Sequence, residues 1–146
     1  GRQSVSELEF DSLLNMIDRW CRLAPSLLQP TEQVTAIPFI QLRQATCPYA
    51  VVGIISPWNF PLLLSTLDLI PALLAGCAAI VKPSEITPRF IAPLMATIAQ
   101  VPSLQEVLHY VPGDGATGAA MLQQVDAICF TGSVATGRRV AEQAAQ

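Results

Sequence analysis

Beyond Ala50 the chain alternates short, unbroken apolar runs with longer mixed stretches. The runs are "AVVGIIS" at 50–56, "CAAIV" at 77–81, "EVLHYV" at 106–111 and "DAICF" at 126–130. Each has the length of a strand, and the lack of polar alternation predicts strands buried on both faces. The segments between them predict helices. One is an apolar helix over 62–75, and a second over 87–100 is opened by Thr87 with Pro88 in its first turn. "GDGATGAAMLQQ" predicts a glycine-rich loop running into a third helix, and "TGSVATGRRVAEQAAQ" a loop and a last helix. Single helices joining consecutive strands imply crossover connections, hence a parallel sheet covered on both sides. The expected fold is α/β, a doubly wound, Rossmann-like parallel sheet.

The first 49 residues follow other patterns. "SVSE" offers a capping box at Ser4 and Glu7, and Leu8, Leu13, Ile17, Trp20 and Cys21 approximate one apolar face. An amphipathic helix over 4–24 is expected, closed by Pro25 and Pro30. Residues 34–48 mix β-branched and polar positions without a core run, as in an exposed arm or hairpin. The expected organisation is a helical segment over 1–33, an arm over 34–48 and an α/β domain over 49–146.

Composition narrows the function classes. At 51% hydrophobic and 13% charged, the chain is too apolar for a disordered protein. Its net charge of −3 and scattered basic residues offer no phosphate-backbone footprint, so no nucleic-acid partner is expected. The stretch Phe60–Val81 approaches membrane-span length. Asp68 near its centre, Pro71 and Gly76 argue instead for a buried helix followed by a strand. The amino end has no basic region leading into an apolar one, so neither a signal peptide nor a membrane span is expected. Cys21, Cys47, Cys77 and Cys129 are too far apart for a C-x-x-C motif and read as reduced core residues of a cytoplasmic protein. His109 reads as a strand residue. No metal site is expected.

In a doubly wound sheet, ligands bind outside the carboxyl ends of the strands. Here those ends carry "SPWNFP" at 56–61, "KPSE" at 82–85, "PGDG" at 112–115 and "FTGS" at 130–133. A carboxylate at Glu85 can accept hydrogen bonds from a ribose diol, and the Lys82 ammonium can donate to the same diol. Against this, the two could form a plain surface ion pair. Ser133 is placed to cap the last helix, and exposed amides with a positive helix end suit a phosphate, with Gly132 leaving room for close approach. An ordinary capped helix is the alternative. No G-x-G-x-x-G is present; Gly113, Gly115 and Gly118 have other spacing.

Taken together, "PWNFP", "KPSE", "PGDG" and "FTGS", with "PALLAGCAAIVKPSE" between the first two, resemble the aldehyde dehydrogenase superfamily over about residues 48–141. The resemblance implies a domain that holds NAD, with NADP possible, and whose sheet is incomplete in this chain. It puts the adenosine ribose near Lys82 and Glu85 and the pyrophosphate near Gly132 and Ser133. Ile55, Ser56, Pro57 and Trp58 would line the cofactor channel, and Gly113 the adenine side. It further implies that Asn59 is the oxyanion-stabilising asparagine and that residues 34–48 belong to an arm used to form homo-oligomers. In such an enzyme a cysteine thiolate attacks a small-molecule aldehyde, hydride leaves to the nicotinamide, and a glutamate-activated water releases the carboxylic acid. None of the four cysteines here matches that nucleophile, and the base glutamate is unmatched. The chain is therefore expected to be part of a longer enzyme and inactive alone. A non-catalytic nucleotide-binding or assembly module is the competing expectation.

Overall fold

A computed structural model of the protein describes residues 3–37 and 39–145; Pro38, in the expected arm, lies outside these. Helix α1 spans Gln3–Leu28. It already contains Ser4, and Glu7 accepts from the Gln3 side-chain amide at 2.8 Å, so the expected Ser4 cap is not formed. The helix also continues through Pro25 for another turn. A proline forfeits one hydrogen bond near a helix end, whereas Ala24 and Leu28 continue the packed stripe. That stripe runs Glu9, Leu13, Trp20, Ala24, while Leu8, Ile17 and Cys21 are exposed. The predicted face is thus rotated, and it carries a buried carboxylate. α1 packs against the two helices that follow the first sheet strand.

An exposed antiparallel hairpin comes next. Strands β1 (Thr31–Val34) and β2 (Gln41–Gln44) pair with Thr31 opposite Gln44, so the ribbon starts three residues before the arm expected at 34.

The main sheet holds β3 (Val51–Ser56), β4 (Ala78–Pro83), β5 (Leu108–Tyr110) and β6 (Ala127–Phe130). All pairs are parallel and the order is β5-β4-β3-β6. The chain moves outward from β3 to β5 and then returns to the other side of β3 for β6. The order therefore reverses between β3 and β6, where a ligand crevice opens in such sheets. Val52, Ile54, Ala79, Val81, Leu108 and Tyr110 form the buried centre. His109 lies on β5 as expected, and is exposed.

The apolar stretch after β3 forms two short helices, α2 (Pro61–Thr66) and α3 (Leu69–Leu74), rather than one helix over 62–75. Pro71 can neither donate to the Leu67 carbonyl nor clear it, so the ladder breaks at Leu67–Asp68, and Pro71 falls in the tolerant first turn of α3. Gly76 ends α3 at φ 91°, with its N–H bonded to Leu73 O (3.0 Å) and that of Cys77 to Ala72 O (3.0 Å). This double bond pattern needs a left-handed residue, which glycine supplies, and it turns the chain into β4. Among the described residues no helix is long and apolar enough to cross a membrane.

A 3-10 turn over Pro88–Phe90 leads into α4 (Ile91–Ile98), with α5 (Pro102–Gln105) before β5. After β5 comes α6 (Gly115–Leu122), capped by Asp114, whose carboxylate accepts from Ala116 N at 2.9 Å. α7 (Val134–Ala144) follows β6. Of the four cysteines only Cys77 is buried; Cys129 is half-buried, and Cys21 and Cys47 are exposed, contrary to the core expectation. Both of the latter lie where the chain packs on one side or not at all, on the outer face of α1 and just past the hairpin.

Candidate functional site

At the carboxyl ends of β3, β4 and β6 a cleft of about 990 Å³ opens, walled by α6 and α7. Ile55, Ser56, Pro57, Trp58, Asn59, Lys82, Glu85, Gly132 and Ser133 all line it. Of the sequence-predicted positions only Gly113 is outside the lining. Its carbonyl instead accepts from the Lys82 ammonium at 2.9 Å.

Lys82 is 5% exposed, a depth at which a cation needs partners. It donates to the carbonyls of Gly113 and Pro83 (3.2 Å) and lies 3.5 Å from Glu85 Oε2. Two backbone oxygens therefore hold the ammonium in place, and the exposed Glu85 carboxylate completes the corner. Gly118 of α6 lies beneath: a Cβ there would stand 3.5 Å from the Lys82 stem, an ordinary contact.

The Ser133 hydroxyl caps α7, accepting from Thr136 N (3.2 Å) and donating to Thr136 Oγ1 (3.0 Å). The hydroxyl is committed to the cap, so an anion at this end would meet the free N–H groups of the first turn. The space that Gly132 leaves is taken by an aromatic ring: a Cβ would fall 2.6 Å from Phe130 Cζ. Phe130 itself lines the cleft and also touches Gly137 of α7. The glycine pair therefore seats a wall of the cleft, a role that "FTGS" read as a phosphate loop does not suggest.

Ser56 is 3% exposed, and its Oγ is buried without a hydrogen-bond partner among the described residues. A buried hydroxyl left unpaired costs about 1–3 kcal/mol unless a ligand or water satisfies it. It lies in the cleft wall beside Ile55 and Pro57.

Two side chains absent from the sequence-based site hold the "PWNF" turn. Glu9 of α1, 8% exposed, accepts from Leu63 N at the start of α2 (2.9 Å). Thr87, expected to cap a helix, makes no cap bond and donates to the Trp58 carbonyl at 3.0 Å. Both contacts join residues far apart in sequence, and no local pattern signals them. The exposed Trp58 indole and the exposed Asn59 carboxamide face the cleft from this turn.

No cysteine lines the cleft. The Cys129 thiol is pushed up in pKa by burial and then by the nearby Asp68 charge. Burial raises the Asp68 carboxyl as well. Among the described residues no cluster of metal-ligating side chains is present.

A parallel sheet with its cleft at the order reversal, an ion-paired corner on one side and a capped helix end on the other, defines a doubly wound nucleotide-binding type of domain. The sequence profile described as "Aldehyde dehydrogenase family" matches residues 2–146, and the chain belongs to that family. A Mycolicibacterium smegmatis protein assigned as a succinate-semialdehyde dehydrogenase (NADP+) is 38% identical over 145 residues, covering 98% of this chain and 28% of the relative. The solved structure of PutA from Anabaena variabilis, assigned to the aldehyde dehydrogenases, is 62% identical with a TM-score of 0.96, covering 99% of this chain and 31% of that one. Betaine aldehyde dehydrogenase from Staphylococcus aureus, solved with NAD+, is 30% identical with a TM-score of 0.85, covering 94% and 28%. The chain thus spans under a third of the length of these relatives.

Proposed function

We propose that this chain is the cofactor-holding part of an NAD(P)-dependent aldehyde dehydrogenase that oxidises a small-molecule aldehyde to a carboxylic acid. The observation that carries the reading is the convergence of the Lys82–Glu85 corner, the free α7 amides, the unpaired Ser56 hydroxyl and Asn59 on one cleft. These groups fit a dinucleotide. Glu85 accepts from the ribose diol, and Lys82, fixed by the Gly113 and Pro83 carbonyls, donates to it. The first turn of α7 faces the pyrophosphate, Ser56 gains the partner it lacks, and Trp58 covers the channel. When bound, the nicotinamide supplies the hydride acceptor. Asn59 donates an N–H to the oxygen that gains negative charge when a cysteine thiolate attacks the aldehyde. A fixed donor of this kind contributes about 2.7–4 kcal/mol to such a step.

NAD is the favoured cofactor, because the Glu85 charge repels a 2′-phosphate, while Lys82 beside it leaves NADP usable. With no cysteine in the cleft, the 146-residue chain binds cofactor and does not turn over by itself. The hairpin, exposed on all eight of its strand residues, serves homo-oligomer assembly, and the enzyme is cytoplasmic. The test is titration calorimetry of NAD and NADP against the chain and its Glu85→Gln variant. Glu85→Gln raises NADP affinity relative to NAD; an unchanged or lowered ratio refutes the ribose assignment. The cysteine-free cleft also supports a second reading, a non-catalytic nucleotide-binding or assembly module. Dehydrogenase activity of the product of the complete reading frame separates the two.

A further inference from the structure

The prolines bracketing "PWNFP" fix less than they suggest. Pro57 and Pro61 lock φ at their own positions, and Pro61 also restricts Phe60 before it, which leaves the torsions of Trp58 and Asn59 free. The peptide joining Trp58 to Asn59 is planar, so whatever holds the Trp58 carbonyl also sets the direction in which Asn59 leaves the chain. The Thr87 hydroxyl holds that carbonyl, at 3.0 Å. Thr87 occupies the N-cap position of the turn over Pro88–Phe90 yet forms no cap bond, although a threonine cap ordinarily contributes about 1 kcal/mol. Its hydroxyl instead serves the Trp58 carbonyl, 29 residues earlier in the chain. Thr87 also stands two residues beyond Glu85, on the loop that carries the Lys82–Glu85 corner. On the other side of the turn, Glu9 anchors Leu63 N, so the segment bearing Asn59 is tethered at both ends from outside itself.

We propose that Thr87 is a positioning residue for Asn59, acting through the Trp58 carbonyl and joining the ribose corner to the oxyanion donor. This rests on the reading of Asn59 given above. Thr87 acts through Asn59, so removing its hydroxyl slows the step that Asn59 assists and leaves cofactor binding nearly untouched. A misplacement of about 1 Å costs roughly 100-fold in rate, and the loss of one neutral hydrogen bond falls short of that.

The test compares Thr87→Val, which keeps the shape and removes the donor, with Thr87→Ser, which restores it, in the complete enzyme. Expected are an acylation rate about tenfold lower for Thr87→Val, a KM for NAD within about twofold, and recovery of most of the rate in Thr87→Ser. On an Asn59→Ala background, Thr87→Val should cost less than about twofold more, because the group it positions is gone. A second readout needs no turnover. In the 146-residue chain with Trp20→Phe, acrylamide quenching of the remaining Trp58 rises in Thr87→Val and stays at the parent level in Thr87→Ser. An unchanged acylation rate in Thr87→Val, a full additional loss on the Asn59→Ala background, or unchanged Trp58 quenching overturns the positioning role while leaving the Asn59 reading intact. If Asn59→Ala itself leaves acylation unchanged, the oxyanion reading falls, and the Thr87 role with it.

Discussion

Gly132→Ala adds a single methyl group where the structure has no room for it. The new Cβ would stand 2.6 Å from Phe130 Cζ and 3.2 and 3.3 Å from the two neighbouring ring carbons. Comfortable carbon–carbon contact begins at about 3.5 Å, so the ring must shift by roughly 1 Å. Gly137 blocks it on the α7 side, where a Cβ would already meet the ring at 3.1 Å, so the shift is forced toward the cleft that the ring lines. Gly132 does not have a left-handed φ, so the penalty is steric and owes nothing to backbone strain. Overpacking of this kind costs about 1–3 kcal/mol. For a domain of this size that lowers the melting temperature by about 3–12 °C. Thermal unfolding followed by circular dichroism reads the effect, with Phe130→Leu as the control. Without the ring, Gly132→Ala should cost less than about 0.5 kcal/mol. A melting temperature for Gly132→Ala within about 2 °C of the parent (roughly the ±0.5 kcal/mol scatter of neutral surface changes), or an equal loss on both backgrounds, refutes the argument.

Two further outcomes follow from buried polar groups. Glu9→Ala removes the acceptor at Leu63 N and should destabilise the chain by about 1–2 kcal/mol in urea unfolding, with Glu9→Gln losing less because it keeps an oxygen there. Tyr110 is pushed up to about 12 by burial, a shift only partly offset by its bond to Ser65 (3.2 Å). Its folded value lies above the unfolded one, so the stability it confers is complete below pH ~10 and disappears as pH climbs to about 12. The loss is on the order of 2–3 kcal/mol. Tyr110→Phe should remove that alkaline component, and a spectrophotometric titration that finds the Tyr110 phenol ionising near pH ~10 would contradict it.

Much of the site was readable from the loops. An unbroken apolar run followed by a proline- or glycine-marked turn locates a strand end, and parallel strands place all such ends at one edge of the sheet. That logic gathered Asn59, Lys82, Glu85 and Ser133 before any coordinates. Gly113, which the resemblance put on the adenine side, lies outside the cleft lining and supports Lys82 through its carbonyl. What the loop pattern did not signal at Gly132 is that the space beside its Cα belongs to the Phe130 ring. A backbone carbonyl and an absent methyl look the same in every sequence, and only the neighbours decide their use. Glu9 was invisible for a related reason: an acidic residue on a helix reads as a solvent contact until an unpaired amide faces it.

The sequence by itself determined the elements and their class. Run length, helix period and turn residues are local, and chain connectivity turns alternating strands and helices into a parallel, doubly wound sheet. It also determined the left-handed stop at Gly76, because few other residues tolerate that conformation at low cost. Tertiary structure alone decided the strand order, which face of α1 is buried, and the two distant hydrogen bonds at Leu63 and Trp58 that flank Asn59. Each of these depends on contacts between groups far apart in the chain, 54 and 29 residues for the two hydrogen bonds. Such pairings have no period, so local pattern carries no trace of them until the fold brings the partners together.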